Sequence, residues 1–455
     1  MIKQLIQTIF LMGIINRIVK KQPAYIKKLY YDLVPFKKRY SKIYSETCDF
    51  LDKVDNWDYE RSLDYQFNEL KRILKHSKEN VPYYGKLFAN YEFNINIQSF
   101  NDIEKLPYLT KTNITENFDD LTSKNYNGKK IIFKTAGSTG NRLSFYGDDS
   151  MYKKESAYIQ HSFKSHDAIL YDEWTIWIRR HSPKNIDDLV VKDYELKRIY
   201  VSPFHLNDDT ILFYVDLINK SKSKTIVTYP STAYWLSSLL EKHNLKLPYI
   251  TSIHGASEKC LDFWSEKIKN VFGFHLKMHY GQVEKVSFMY QSKDSELYHN
   301  DLTYSFTEFD ELNTIVGTSF INYVMPFIRY KTNDVVTLNN DVKYNISRPY
   351  VVSKIDGRVD DMVVSESGSK IPSVNFYTVM SKKEEISMFQ LYQKQNKSLL
   401  FRVVVNENFK ESILDNLKLE IIKRVGNLPL DFEIVNEIKR DPNTGKIRCV
   451  ISEIK

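Results

Sequence analysis

The stretch Lys134-Thr135-Ala136-Gly137-Ser138-Thr139-Gly140-Asn141-Arg142 holds the residue types best suited to a chemical task. Gly137 and Gly140 bracket Ser138 and Thr139, directly after the apolar run Ile131-Ile132-Phe133, which predicts a strand. Glycines let backbone N–H groups turn toward one point and hydroxyls add donors, so such a loop can cradle a phosphate. The same residues also suit an ordinary turn between strands. No Gly-Lys-Ser/Thr follows, which argues against a P-loop ATPase or kinase. Four later phrases carry candidate acids and bases: Tyr280-Gly281-Gln282-Val283-Glu284, Tyr330-Lys331-Thr332-Asn333-Asp334, Gly357-Arg358-Val359-Asp360-Asp361 and Gly445-Lys446. Taken singly, Glu284 suits a solvated surface acid, Asp334 a turn former, and Arg358 with Asp360 a surface ion pair of little worth. Lys446 follows Asp441-Pro442-Asn443-Thr444-Gly445, an ordinary hairpin signal.

These residues need a scaffold, and the hydrophobic pattern supplies one. From about residue 130 to 355, strand-like runs alternate with helical stretches. Ile226–Thr228 predicts a strand and Thr232–His243 a helix. Tyr249–Ile253 predicts a strand leading into His254-Gly255-Ala256-Ser257-Glu258, followed by a helix to Phe272. His275–His279 predicts a strand entering the Tyr280-Gly281 turn. Such alternation implies an α/β fold with mainly parallel strands. Ligands then bind beyond the carboxyl ends of the strands, where the phosphate loop, the Gly255-Ala256 turn and the Tyr280–Glu284 turn could share one cleft. Upstream, residues 57–80 predict a polar helix, and Pro82 and Pro107 are expected to end helices and set loops. After Gly357 the character changes. Short strands at Gln390–Tyr392, Leu399–Val405, Phe432–Val435 and Ile447–Ile451, with a helix over Phe409–Val425 stopped by Gly426, predict a small α+β unit. The expected division is a basic amphipathic segment over 1–50, a large α/β domain over 51–357 and a small C-terminal domain over 358–455.

Composition narrows the function classes. The 455 residues suffice for a large core and more than one domain. The net charge is +8, but residues 1–42 hold ten basic side chains and one acid, Asp32, a balance of +9 that leaves the rest at −1. A near-neutral body with a basic front end is not the pattern of a nucleic-acid binder, which spreads charge over a folded face. Residues 2–19 are apolar at helical spacing (Ile2, Leu5, Ile6, Ile9, Phe10), too short and too interrupted by Asn16 and Arg17 to span a bilayer. Two readings stay open for them: an amphipathic helix packed on the body, or an interfacial membrane helix. No small-x-small cleavage site follows, as a signal peptide would require. The three cysteines, Cys48, Cys260 and Cys449, are widely spaced, which points to a reducing cytoplasm.

The five short motifs occur in one order, and in that order they resemble the adenylate-forming enzymes: acyl-CoA synthetases, aryl-CoA ligases and peptide-synthetase adenylation domains. Asn80-Val81-Pro82-Tyr83-Tyr84 and Leu106-Pro107-Tyr108-Leu109-Thr110-Lys111 further resemble the phenylacetate–CoA ligase-like branch, which includes relatives associated with capsule and other surface polysaccharides. The resemblance implies ATP-dependent activation of a small carboxylic acid as an acyl-adenylate. Transfer to an acceptor follows, the candidates being CoA, a carrier-protein thiol, or a sugar amine or hydroxyl. It also implies roles. Thr135, Gly137, Ser138, Thr139 and Gly140 would hold the β- and γ-phosphates, and Glu284 would bind Mg2+. Gly255, Ala256, Tyr280 and Gly281 would border the adenine, and Asp334 would take the ribose hydroxyls with Arg358 nearby. Asp360 would be the hinge of a mobile C-terminal domain, and Lys446 would reach the α-phosphate and the attacking carboxylate. ATP and Mg2+ are thus the expected cofactors, and the expected location is the cytoplasm, with peripheral contact to the inner membrane face through residues 1–42. Three positions depart from the family pattern: Leu143 stands where a lysine is frequent, Val283 where a threonine precedes the glutamate, and Asn333 where a glycine precedes the aspartate. Asn tolerates positive φ, so that turn is expected to survive. Val283 and Leu143 favour the alternative, a non-catalytic or AMP-transferring nucleotide-binding relative tethered to a membrane assembly.

Overall fold

The structure is a computed structural model that describes residues 15, 16, 18, 19, 21–135, 143–179, 181, 188–339, 341, 350–358, 362–380, 383–442 and 445–454. Several of the expectations above fall outside these residues: the phosphate loop from Ala136 to Arg142, Val359, the hinge residue Asp360, Asp361, Asn443, Thr444 and most of the apolar stretch 2–19.

The N-terminal third is helical: α1 (Ala24–Leu33), α2 (Phe36–Arg39), α3 (Lys42–Val54), α4 (Tyr59–Asn80), α5 (Pro82–Asn90) and α6 (Lys111–Glu116). Asp58 caps α4 by accepting from the Arg61 amide, and the helix buries Leu70, Ile73 and Leu74. Pro82 does more than end α4. It occupies the first turn of α5, where a missing N–H costs nothing.

β1 (Ile131–Lys134) and β2 (Ser144–Gly147) form a separate antiparallel hairpin. α7 (Asp149–Lys164) follows, then β3 (Thr175–Ile178), β4 (Val190–Asp193), β5 (Arg198–Val201), α8 (Ile211–Ser221), β6 (Thr225–Thr228), α9 (Pro230–Lys242), β7 (Ser252–Ala256), α10 (Asp262–Phe272) and β8 (Lys277–Gly281). Next come β9 (Phe288–Gln291), β10 (Tyr298–Asn300), β11 (Ser305–Phe309), β12 (Thr314–Ser319), β13 (Tyr330–Leu338) and β14 (Tyr350–Arg358). Among the described residues, β3 to β14 form one sheet in the order β11-β12-β13-β14-β10-β9-β8-β7-β6-β3-β5-β4.

The α/β expectation is met, and the sheet is mixed. From β5 through β3, β6 and β7 to β8 neighbouring strands are parallel. β6 and β7 are buried at every position, as strands covered on both faces by crossover helices must be. The pairs from β8 out to β11 are antiparallel. There the connections are short, as between β11 and β12, and a tight connection permits only antiparallel pairing. β7 begins three residues later than the sequence suggests. The Ile250 amide closes a turn onto the Leu247 carbonyl, so the chain becomes extended only from Ser252.

The C-terminal part holds β15 (Met362–Val364), β16 (Lys370–Pro372), α11 (Val374–Met380), β17 (Ile386–Gln393), β18 (Leu399–Val405), α12 (Ser412–Val425), β19 (Leu430–Ile434) and β20 (Val450–Ser452). β19-β18-β17-β20 form a four-stranded sheet. Its apolar core includes Phe389, Phe401 and Leu417 and runs on into Tyr234 of α9 and Trp264 of α10. The Trp264 indole donates to the Ser387 carbonyl at 3.1 Å, so the small sheet is seated on two helices of the large one. Among the described residues, no helix is long and apolar enough to cross a membrane.

Candidate active site

The carboxyl ends of β7 and β8 open on a cavity of about 410 Å³. Its lining joins residues distant in sequence: Thr135 from the β1–β2 hairpin, Tyr280 to Glu284 after β8, Asp334 from β13, Arg358 from β14, and Asp441 with Lys446 from the loop before β20. The structure therefore brings together Thr135, Tyr280, Gly281, Glu284, Asp334, Arg358 and Lys446.

Thr135 closes the neck of its hairpin. Its amide donates to the Leu143 carbonyl at 2.9 Å, and its Oγ1 accepts from the Leu143 amide at 3.0 Å. The residues between them, Gly137, Ser138, Thr139 and Gly140 included, lie outside the described residues. Leu143 itself is 3% exposed and belongs to the main core, so it contributes packing where a lysine would bring charge.

Asp334 is aimed by a break in the sheet. The β12–β13 register shifts between Thr314 and Val316, and within that irregularity Asn333 takes φ 65°. Bulges of this kind redirect side chains. The expected positive φ at Asn333 is thus present, and the turn keeps its form without glycine. The Asp334 carboxylate receives the Tyr280 hydroxyl at 2.7 Å on one oxygen and Arg358 Nε at 3.0 Å on the other. A carboxylate has about four acceptor sites, so capacity remains for ligand hydroxyls. Tyr280 in turn accepts from Gln282 Nε2 at 2.9 Å. Burial, and then the Asp334 charge, raise the Tyr280 hydroxyl well above its ordinary pKa, so it stays a donor.

Glu284 is 6% exposed, and its Oε1 accepts from the Tyr330 hydroxyl at 3.1 Å. Burial pushes its carboxyl above the usual range, and the nearby Asp334 charge adds to this. Its own backbone amide, Arg358 and the Tyr330 hydroxyl act the other way, and a bound cation would add to them. Among the described residues, no group of three or more His, Cys, Asp or Glu could hold a metal. A hard cation here would take Glu284 together with phosphate oxygens and water, which is how Mg2+ binds nucleotides. Next to Glu284, Lys285 pairs with Glu155 of α7 at 2.5 Å and tethers the turn to the body. Val283 packs against the main core while lining the cavity, so it offers a methyl face where a hydroxyl was sought.

Gly255 and Ala256 lie inside β7, and the cavity wall begins one residue later, at Ser257. A Cβ on Gly255 would stand 2.6 Å from Met278 Sδ, so the glycine lets the Met278 side chain pack close against β7. His279 forms another part of the wall, and burial pushes its imidazole down to about 3, so it is neutral near pH 7.

Lys446 is half-buried. Its carbonyl accepts from the Asp441 amide at 2.8 Å, closing a turn in which Gly445 has φ 74°. A left-handed φ at this place suits glycine. At Gly445 that turn comes close to Pro203 and Phe204, which follow β5, and to Tyr229, which follows β6. Glu258, which the sequence did not single out, pins the same loop: its carboxylate accepts from the Ile447 amide at 2.9 Å and the Ser231 amide at 3.3 Å. Its position just after Gly255-Ala256-Ser257 was the one available signal. Bonds to a charged acceptor contribute about 1.5–3 kcal/mol. Glu258→Ala is therefore expected to raise hydrogen exchange at the Ile447 amide by about tenfold or more, with the β6–β7 amides unchanged. Unaltered exchange at Ile447 would remove Glu258 as the fastening. Lys259 and Asp356 form a further ion pair at 3.0 Å beside the cavity, both largely buried, with Thr337 donating to Asp356 at 2.6 Å.

With this geometry described, the chain can be compared with known proteins. Residues 363–453 match the family described as the CapK C-terminal domain. Over 432 residues the chain is 25% identical to Protein CapK of Staphylococcus aureus, spanning 92% of this chain and 94% of that protein. It is 22% identical to phenylacetate-coenzyme A ligase of Pseudomonas putida over 382 residues, 77% of this chain and 82% of that one. Among solved structures, 2-hydroxyisobutyryl-CoA ligase in its postadenylation state, in complex with R3-HIB-AMP, superposes with a TM-score of 0.66 at 16% identity, covering 87% and 90% of the two chains. The same ligase in an open conformation, with 2-HIB-AMP and CoA, gives 0.55 at 15% identity, covering 85% and 90%. These structures share the fold, a large mixed sheet with helices and a small C-terminal sheet.

Proposed function

We propose that this chain, a member of the adenylate-forming enzyme superfamily related to CapK and to phenylacetate–coenzyme A ligase, is a ligase that activates a small carboxylic acid with ATP and passes the acyl group to an acceptor. One observation carries the proposal: a single cavity collects Thr135, Tyr280, Glu284, Asp334, Arg358 and Lys446 from five separate motifs. In the first half-reaction a carboxylate oxygen bonds to the α-phosphorus while the bond to the pyrophosphate oxygen breaks, giving acyl-adenylate and pyrophosphate. In the second, a thiol, amine or hydroxyl attacks the acyl carbonyl and AMP leaves.

The chain's side chains do little covalent work; they position and neutralise. Asp334, held by Tyr280 and Arg358, would receive the ribose hydroxyls. Ser138 and Thr139, with the glycines around them, would hold the β- and γ-phosphates. Lys446 would bridge the α-phosphate and the incoming carboxylate. Mg2+ bound through Glu284 would neutralise phosphate charge. The likeness to CapK supports a place in the synthesis of capsule or other surface polysaccharide, and the basic N-terminal segment supports a cytoplasmic enzyme held at the inner membrane face. CoA, a carrier thiol and a sugar amine or hydroxyl are the acceptors to be tried.

The methyl face of Val283 favours a second reading, a nucleotide-binding relative that transfers AMP or does no chemistry. Exchange of labelled pyrophosphate into ATP, over a broad panel of acids, separates the two. Acid-dependent exchange is expected. Nucleotide binding without exchange for any acid would support the second reading.

A further inference from the structure

We infer that one face of α1, formed by Tyr25, Leu29 and Leu33, is a docking surface for an anionic lipid bilayer. This inference deepens the inner-face location proposed above by naming the residues that make contact, and it is independent of the ligase chemistry. Spacing by four puts the three side chains in one stripe along the helix. They are 73%, 63% and 72% exposed, and Ile18 just upstream is 55% exposed. Three large apolar side chains in a row are not scattered surface residues; a contiguous exposed patch marks a contact site.

The helix is not loosely attached. Its other face buries Tyr31 at 2% exposure, and the guanidinium of Arg39 lies 4.4 Å above the Tyr31 ring. Arg39 also donates to the Val34 carbonyl at 3.0 Å and the Glu195 carbonyl at 2.8 Å. The Phe36 amide donates to Asp172 at 2.7 Å. The stripe is therefore presented outward by a helix fastened from behind.

Charge identifies the occupant. The basic residues of the segment divide into two sets. Arg39 is buried, Lys37 pairs with Asp49, and Lys42 pairs with Glu46, so these serve the fold. Lys28 on α1 and Lys21 just before it are exposed, as is Lys38 on α2, while Lys27 is half-buried; none of the four has an ion pair among the described residues. Asp32, the one acid in residues 1–42, is bound to Lys197 at 3.0 Å. The outward face thus combines aliphatic and tyrosyl side chains with unneutralised ammonium groups. That combination suits the boundary between lipid headgroups and acyl chains, where apolar groups enter and lysines meet phosphates.

The test is co-sedimentation of the full-length chain with phosphatidylserine–phosphatidylcholine vesicles and with phosphatidylcholine vesicles, across a salt series and without nucleotide. Binding to the anionic vesicles alone, weakening with salt, is expected. Tyr25→Ser/Leu29→Ser/Leu33→Ser should reduce it by about tenfold or more with unchanged thermal unfolding. Lys21→Glu/Lys28→Glu should reduce it and flatten the salt dependence. A triple variant that binds like the wild type, while Leu5→Ser/Ile9→Ser abolishes binding, would overturn the assignment and leave the inner-face location standing. Wild-type protein that ignores both vesicles would remove both, with the ligase reading untouched. A wild-type chain that dimerises through the stripe, with the triple variant monomeric, would also overturn it.

Discussion

Lys446→Ala is expected to slow acyl-adenylate formation by roughly 10²–10³-fold, the usual effect of deleting one preorganised charge beside a reacting phosphate. Transfer from a chemically made acyl-adenylate should stay close to its wild-type rate. The asymmetry follows from where Lys446 stands. It reaches the cavity from the loop before β20, and that loop is held to the large sheet by the Glu258–Ile447 contact and by the close seating of Gly445 on Tyr229. With the small sheet docked in this way Lys446 lines the cavity, where under the proposed function it would meet the α-phosphate. Under that function, its work would end once the acyl-adenylate exists. A hinge motion that withdraws the loop would leave the second half-reaction unaffected. The measurement is the two half-reactions in separate single-turnover experiments. Equal losses in both would make Lys446 a residue of the turn rather than of the chemistry.

The second large effect concerns Glu284. Glu284→Gln is expected to lower acyl-adenylate formation by roughly three orders of magnitude, because a neutral amide is a poor ligand for a hard cation. Its fold should be at least as stable as the wild type. Burial raises the Glu284 carboxyl in the folded protein above its unfolded value. Between those two values the folded state binds the extra proton, so stability falls as pH rises through that window and the cost persists at neutral pH. Glutamine escapes this cost, and its Oε1 can still accept from Tyr330. Without nucleotide or metal, the variant's melting temperature near pH 7 should therefore equal or exceed that of the wild type. For the wild type, Mg2+-dependent activity should rise with pH as Glu284 ionises, and that limb should be absent in the variant. A variant that melts lower would contradict the burial cost assigned to the Glu284 carboxyl, and one that keeps near-native pyrophosphate exchange would show that Glu284 is not the metal ligand.

Much of this site was legible in the sequence because adenylate-type motifs follow strands, and strands are read from short apolar runs. Tyr280 and Glu284 could be placed in one cleft with the phosphate loop through the ends of predicted strands, whereas Asp334 and Arg358 joined them only through the family resemblance. The left-handed turn at Asn333 could be expected from the residue type alone, and its φ of 65° bears this out. What could not be read was anything depending on which strands pair. The antiparallel half of the sheet has no helical periodicity to announce it, and Ile131–Phe133 reads as a strand without saying that its partner is Ser144–Gly147 in a separate hairpin. Gly255 and Ala256 looked like a turn because glycine usually marks one, whereas here the glycine admits Met278 beside β7. Glu258 escaped notice because its partners, Ser231 and Ile447, come from opposite ends of the chain. The exposed stripe on α1 was hidden for a related reason: Tyr25, Leu29 and Leu33 have the spacing of a core face, and only the fold shows which face turns outward.

The central claim is that a carboxylate oxygen attacks the α-phosphorus of ATP in this cavity. Isotope transfer tests it most directly. An acid that supports pyrophosphate exchange would be prepared with oxygen-18 in its carboxylate and turned over with ATP, Mg2+ and hydroxylamine as the acceptor. The account predicts one oxygen-18 atom in the AMP formed for each acyl hydroxamate made, with unlabelled pyrophosphate. Unlabelled AMP, or label appearing in inorganic phosphate, would contradict it.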